Sequence, residues 1–266
     1  MNLLFIGAGK MATAIASGIV KENLFPHDNI WACDIDPVAR EAFRRRTGIS
    51  CAESSESLVG KADVLLLAIK PQSLEQLLVN LPPRKPEALV ISICAGLSIA
   101  RLRQGFATGR IVRVMPNTPL MVGKGASCYA LGSESDETAA ALTEKIFAAL
   151  GRAWRVSEDL LDAVTAISGS GPAYMFEFVE ALRLAGVKLG LSDELALELA
   201  IQTMVGAAEM LQQDIASPEE LRQAVTSPGG TTAAALKVMQ EADFRGLVER
   251  LTQAACLRSK ELGADS

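Results

Sequence analysis

Leu3-Leu4-Phe5-Ile6-Gly7-Ala8-Gly9-Lys10-Met11-Ala12 is the stretch whose reading decides the fold. Four apolar residues in unbroken succession read as a strand buried on both faces. The next six fit G-x-G-x-x-A, and an amphipathic helix is expected over 11–22. Each small residue then has a reason. Gly7 allows a tight strand-to-helix turn, Gly9 lets a pyrophosphate approach the backbone, and Ala12 lets the helix pack on the strand. The helix start offers free N–H groups and the positive end of its dipole to phosphates. The motif alone is common, and a plain tight turn in a structural α/β domain would also use it. Here a second strand over 30–33 follows and ends at Asp34, the order that a dinucleotide-binding unit requires. Ile6, Gly7, Ala8, Gly9, Lys10, Met11 and Ala12 are therefore expected around the cofactor. Asp34 stands where a carboxylate meets the adenosine ribose, which by the simple rule favours NADH over NADPH. Arg40, Arg44, Arg45 and Arg46 on the next helix pull the other way or form a solvated basic face, so NADPH and NADH both remain open.

Further apolar runs at 64–68, 89–93, 111–115 and 126–130 alternate with helix-like stretches at 37–46, 73–81 and 136–150. A last strand near 152–156 closes the pattern. This is the signature of a doubly wound, mostly parallel sheet with helices on both faces. From Glu158 onward no strand run occurs, and apolar residues recur at helical spacing over 176–191, 195–211, 236–239 and 247–262. The expected division is an α/β Rossmann domain over 1–157 and an all-α domain over 158–266.

Composition excludes several function classes. The formal net charge of -5 gives no broad basic face, so nucleic acid and anionic membrane are not expected partners. The mean hydropathy of +0.24 is high, yet the longest strongly apolar run, 62–69, contains Asp63 and falls short of the ~20 residues of a spanning helix. Residues 2–7 enter the first strand directly, without a basic leader or cleavage site, so a cytoplasmic location is expected. Five scattered cysteines and no CxxC read as buried small side chains in a reducing compartment. With the single histidine, His27, in a loop, neither a metal site nor a Ser-His-Asp triad is expected.

Two glycine-rich clusters interrupt the helical half. Ser227-Pro228-Gly229-Gly230-Thr231-Thr232 opens a helix; exposed N–H groups, the dipole and hydroxyl donors suit a small carboxylate, although an ordinary N-cap would look the same. Gly169-Ser170-Gly171-Pro172 permits a kink or restart of the chain.

Together with Ala68-Ile69-Lys70-Pro71-Gln72, Ser92-Ile93-Cys94-Ala95-Gly96, Arg113-Val114-Met115-Pro116-Asn117-Thr118-Pro119 and Ala166-Ile167-Ser168-Gly169-Ser170-Gly171-Pro172-Ala173-Tyr174, these clusters resemble the pyrroline-5-carboxylate reductase family over essentially the whole chain. The resemblance implies hydride transfer from NADPH or NADH to 1-pyrroline-5-carboxylate, giving L-proline. It places Ala68, Ile69, Lys70 and Pro71 and the small residues Cys94, Ala95 and Gly96 against the nicotinamide end, and Ser55 beside the adenine-side ribose. Asn117 is expected as a polar contact near the nicotinamide, or else as part of a stiff structural turn. The resemblance further implies that Ser227, Gly230 and Thr231 grip the substrate carboxylate, that Thr232 hydrogen-bonds the ring nitrogen, and that Ser170 and Pro172 lie near the pocket. It also implies a homodimer or a larger homo-oligomer built through the helical half. Two other readings compete. A β-hydroxyacid dehydrogenase would place a lysine soon after Gly169-Ser170-Gly171, but the next one is Lys188. A non-catalytic dinucleotide sensor would need no carboxylate loop.

Overall fold

The computed structural model of the chain describes residues 1–264. It contains two compact units, Met1–Ser170 together with residues 255–264, and Gly171–Ala254.

The first unit is built on an eight-stranded sheet, and each strand owes its place to its side chains. Strands β1 (Leu3–Ile6), β2 (Ile30–Cys33), β3 (Cys51–Ala52), β4 (Val64–Leu67), β5 (Leu89–Ser92), β6 (Ile111–Met115), β7 (Gly125–Leu131) and β8 (Gly151–Arg155) lie in the order β3-β2-β1-β4-β5-β6-β7-β8. In β1 and β4 every residue is buried, because alternate side chains enter different cores. Leu3, Phe5, Val64 and Leu66 pack in one cluster, and Leu4, Ile6, Leu65 and Leu67 in the other. Each such buried side chain contributes roughly 1.5–3 kcal/mol relative to exposure. Helices α1 (Lys10–Lys21), α2 (Pro37–Thr47) and α5 (Glu137–Ala148) cover the first face, and α3 (Leu74–Val79) and α4 (Ile99–Phe106) the second.

The doubly wound, mostly parallel sheet expected from the sequence is present, with two additions. β3 is too short to give a hydrophobic run, and α4 carries so many basic and small residues that its apolar face, Leu102 and Phe106, escaped the periodicity. β7 runs antiparallel to β6. The connection over 116–124 is shorter than the about a dozen residues that a parallel crossover needs, so the chain turns back on itself.

After β8 come α6 (Leu161–Val164) and a π-helical turn, Thr165–Gly169, at the point where the sequence allowed a kink. The second unit consists of α7 (Gly171–Lys188), α8 (Asp193–Gln212), α9 (Pro218–Ala224), α10 (Thr231–Glu241) and the first part of α11 (Phe244–Ala264). Side-chain caps start two of these helices: Ser192 accepts the Leu195 N–H, and Ser217 with Glu220 forms a capping box. α7 and α8 approach closely because a Cβ on Gly186 would stand 3.0 Å from that of Ala196. No described helix is long and apolar enough to cross a membrane.

Candidate active site

The turn after β1 has the geometry its glycines require. Gly7 adopts φ 101°, and a Cβ there would lie 2.4 Å from the Ala68 carbonyl oxygen. Glycine is thus obligatory for both conformation and space. Gly9 is the N-cap of α1 and brings no capping side chain, which leaves the first-turn N–H groups facing outward. A Cβ on Gly9 would meet nothing within 4 Å, so the backbone is open there to a phosphate.

Asp34 ties this turn to the end of β2. Its Oδ2 accepts the Ala8 N–H at 2.7 Å and its Oδ1 accepts the Asp36 N–H at 2.9 Å. Each oxygen keeps a lone pair for a ribose hydroxyl. Arg40 donates to the carbonyl oxygens of Asp34 and Ile35, so its guanidinium is held on the main chain. A cleft of about 670 Å³ runs past these residues. It brings together Ile6, Gly7, Gly9, Asp34, Ser55, Ala68, Ile69 and Lys70. Ala8 and Lys10 line a neighbouring depression between α1 and α2, whereas Met11, Ala12, Pro71, Cys94, Ala95, Gly96 and Asn117 line neither. The cleft also holds polar residues that the sequence did not single out, among them Glu53, Ser54, Glu56 and Gln76. Three of those follow β3, and recognising that two-residue strand was the missing signal.

At the other end of the sheet edge, Lys70 is exposed and precedes a 3-10 turn, Pro71–Ser73. Cys94 is buried, Ala95 is exposed, and Gly96 takes φ 79°. Asn117 is almost fully buried, and both ends of its carboxamide bind main chain. Its Oδ1 accepts the Ala126 N–H at 2.9 Å and its Nδ2 donates to the Ser168 carbonyl at 3.0 Å. The side chain therefore braces the β6–β7 connection against the π-helical turn. A Cβ on Gly169 in that turn would displace only the tip of the Met115 side chain, 2.4 Å away. Burial pushes the Cys33 thiol up to about 12 and Cys51 to about 11, which keeps both protonated and unsuited to nucleophilic chemistry.

In the second unit, residues 227–232 form the start of α10. Gly229 has φ 69°, the Gly230 N–H donates to the Ser227 carbonyl at 3.0 Å, and a Cβ on Gly230 would lie 2.4 Å from Ser227 Oγ. Gly230 is the N-cap and supplies no capping side chain. The hydroxyls of Ser227, Thr231 and Thr232 take up no hydrogen bond among the described residues. Here the ordinary side-chain cap is absent, and N–H groups and hydroxyls stand together at the positive end of a helix.

A G-x-G-x-x-A turn on a doubly wound sheet, an uncapped helix start and a cleft leading from Asp34 to Lys70 define the class: a Rossmann-type oxidoreductase that uses a nicotinamide dinucleotide. Comparison with known proteins narrows it. The family model for pyrroline-5-carboxylate reductase dimerisation matches residues 158–262, and that for NADP oxidoreductase, coenzyme F420-dependent, matches residues 2–96. The chain is 39% identical over 262 residues to the pyrroline-5-carboxylate reductase of Pisum sativum, covering 98% of this chain and 96% of that one. It is 41% identical over 264 residues to the enzyme of that name from Pseudomonas aeruginosa, with 98% and 96% covered. Among solved structures, a pyrroline-5-carboxylate reductase from Coxiella burnetii matches with a TM-score of 0.88 at 37% identity over 98% of both chains. Plasmodium falciparum pyrroline carboxylate reductase with NADP bound matches with a TM-score of 0.88 at 35% identity, over 99% of this chain and 98% of that one. The chain belongs to the pyrroline-5-carboxylate reductase family.

Proposed function

We propose that this protein reduces 1-pyrroline-5-carboxylate to L-proline with NADPH or NADH, the last step of proline synthesis. The observation that carries the reading is the match over nearly the whole chain to reductases of that name. Bound along the cleft, the dinucleotide supplies the hydride. The residues of the chain bind and orient. The turn Gly7-Ala8-Gly9-Lys10-Met11-Ala12 holds the pyrophosphate, Asp34 and Ser55 the adenosine side, and Ala68, Ile69, Lys70, Pro71, Cys94, Ala95 and Gly96 the nicotinamide end, while Asn117, with both ends of its carboxamide on main chain, serves as the brace of a stiff turn. Ser227 with the N–H groups of Gly230 and Thr231 takes the substrate carboxylate. Thr232 orients the ring nitrogen, while Ser170 and Pro172 shape the pocket.

Hydride adds to the imine carbon and the nitrogen keeps the proton it carried on arrival, so no strong general acid is required. That suits a chain whose only histidine lies in an exposed 3-10 turn, His27–Asn29. The β-hydroxyacid dehydrogenase reading is disfavoured, because α7 brings no lysine before Lys188. Adding 1-pyrroline-5-carboxylate to protein with NADPH, or with NADH, is expected to give rapid loss of reduced-nicotinamide absorbance. Intact cofactor binding without turnover would instead favour a related imine or the sensor.

Asp34 gives this reading a specificity test. Replacing Asp34 with Asn removes the charge that opposes a 2′-phosphate and keeps one acceptor for the turn. The ratio of kcat/KM for NADPH to that for NADH is expected to rise about tenfold or more. An unchanged ratio in steady-state kinetics would show that the carboxylate serves the turn alone.

The helical unit supports assembly with further copies of the chain. Phe176, Leu189 and Val205 are 69%, 86% and 55% exposed, and of the α8 side chains only Ala196 and Ala200 are buried. Apolar helix faces left this open mark an interaction surface. In this reading residues 1–157 bind the dinucleotide, and residues 158–266 bind the substrate and form a homodimer in which one subunit's Rossmann loops meet the partner's 227–232 loop. Light scattering is expected to return a dimer or larger, and a dilute, active monomer would contradict it. A cytoplasmic location belongs to the same reading and fits five cysteines that are all unpaired.

A further inference from the structure

Glu158, just after β8, reaches back to the loop that follows β5. Its Oε1 accepts the Ile99 N–H at 2.7 Å and an Arg113 guanidinium N–H at 3.1 Å. Ile99 begins α4 and closes the loop over residues 93–98, while Arg113 pairs in register with Ser92, where that loop departs. One carboxylate oxygen thus joins the far end of the loop to the strand beside its near end. Two further contacts fix the same loop. The Cys94 N–H donates to Ser92 Oγ at 3.2 Å, and Gly96 lies so close to the end of α11 that a Cβ would come 3.2 Å from the Leu262 carbonyl oxygen. Between these anchors only Ala95 is exposed.

Neither partner of Glu158 needs it merely for the helix to form. α4 already has a side-chain cap, since Ser98 Oγ accepts the Arg101 N–H at 3.1 Å. Arg113 carries its charge on a side chain only 14% exposed, where an unmatched cation is costly, and Glu158 is the carboxylate that matches it. The pair therefore commits the loop to one position.

We propose that Glu158 is a positioning residue for the dinucleotide: through Ile99 and Arg113 it sets the height of the Cys94-Ala95-Gly96 segment at the nicotinamide end of the site. The proposal rests on the reading of that segment given above. Glu158 itself touches neither cofactor nor substrate in this account.

The test measures NADPH binding by fluorescence without substrate, alongside KM and kcat in turnover. Glu158→Ala removes both contacts, and its Kd and KM for NADPH are expected to rise at least about tenfold, since a single lost hydrogen bond to a charged group already accounts for that much. Glu158→Gln keeps an acceptor oxygen for both donors but not the charge that matches Arg113, so its Kd is expected to fall between those of the parent and Glu158→Ala. A second variant cuts the link from the other side. Ile99→Pro deletes the donor N–H at a first-turn position that tolerates proline, and the extended Ser98 before it suits one (φ -74°, ψ 157°). It also trims a side chain that packs on the second core, so its Tm should fall as well. It should raise Kd as Glu158→Ala does. Folded Glu158→Ala and Ile99→Pro proteins with unchanged Kd for NADPH, and only a lower Tm, would overturn the proposal. Because binding is read without the pyrroline, a parent protein that binds NADPH but does not turn over would indict the proposed function and leave this test intact.

Discussion

Gly7→Ala is expected to weaken binding of NADPH and NADH together by about two to three orders of magnitude. Two effects add. An L-residue at φ 101° costs about 1–2 kcal/mol, and a methyl group 2.4 Å from the Ala68 carbonyl oxygen forces a backbone shift of about 1–3 kcal/mol. The shift falls between the phosphate turn and the Ala68-Ile69-Lys70 segment, so both ends of the cleft lose register. Fluorescence titration measures the loss, and circular dichroism on the same sample establishes that the variant is folded. Gly9→Ala makes the informative contrast. Its φ of -68° is ordinary and its new methyl group meets nothing in the protein, so stability should be unchanged. Binding should still fall, because that methyl group occupies the space through which the pyrophosphate approaches. A Gly9→Ala protein with parental affinity would move the phosphates elsewhere.

Thr232→Ala is expected to lower kcat about 10- to 100-fold while the Kd for NADPH stays constant, the size of one hydrogen bond to a charged group. Thr232 lies in the first turn of α10, half-buried, and its hydroxyl binds no described residue. Thr232→Ser keeps the hydroxyl and should recover most of the rate. If Thr232→Ala raised only KM for the pyrroline, the hydroxyl would contribute uniform binding. Full turnover in Thr232→Ala would remove the residue from the mechanism.

The elements that could be read from the sequence are those whose own side chains dictate them. β1 and β2 begin and end where their apolar runs do, because a strand buried on both faces needs an unbroken run, and β6 keeps the same bounds although Arg113 interrupts it. The glycine turn was legible for a similar reason, since Gly7 and Gly9 answer to local conformation and to close approach. β3 and α4 were not, being respectively too short and too polar to leave a period. The direction of β7 depends on the length of a connection and not on the strand's composition.

Tertiary hydrogen bonds were invisible for a deeper reason. Asp34 was placed correctly at the end of β2, but no pattern shows that its carboxylate also anchors the Ala8 N–H from the turn after β1. Asn117 belongs to a conspicuous Pro-Asn-Thr-Pro segment, yet its partners, Ala126 and Ser168, come from separate elements. Nothing in the sequence sets Glu158 apart except that strand runs end before it, and only the fold brings it to Ile99 and Arg113. In the helical unit, spacing located α7, α8, α10 and α11, but not the seven-residue α9, which is too short and too polar to show a period. It could not show that α10 begins at a glycine with no side-chain cap, which is what leaves its N–H groups open.

The most direct test of the account is the path of the hydride. Incubation of the protein with 1-pyrroline-5-carboxylate and NADPH deuterated at the transferable C4 position, followed by mass spectrometry of the amino-acid product, should yield proline carrying one deuterium on the former imine carbon. Proline without deuterium, or consumption of NADPH with no proline formed, would contradict it.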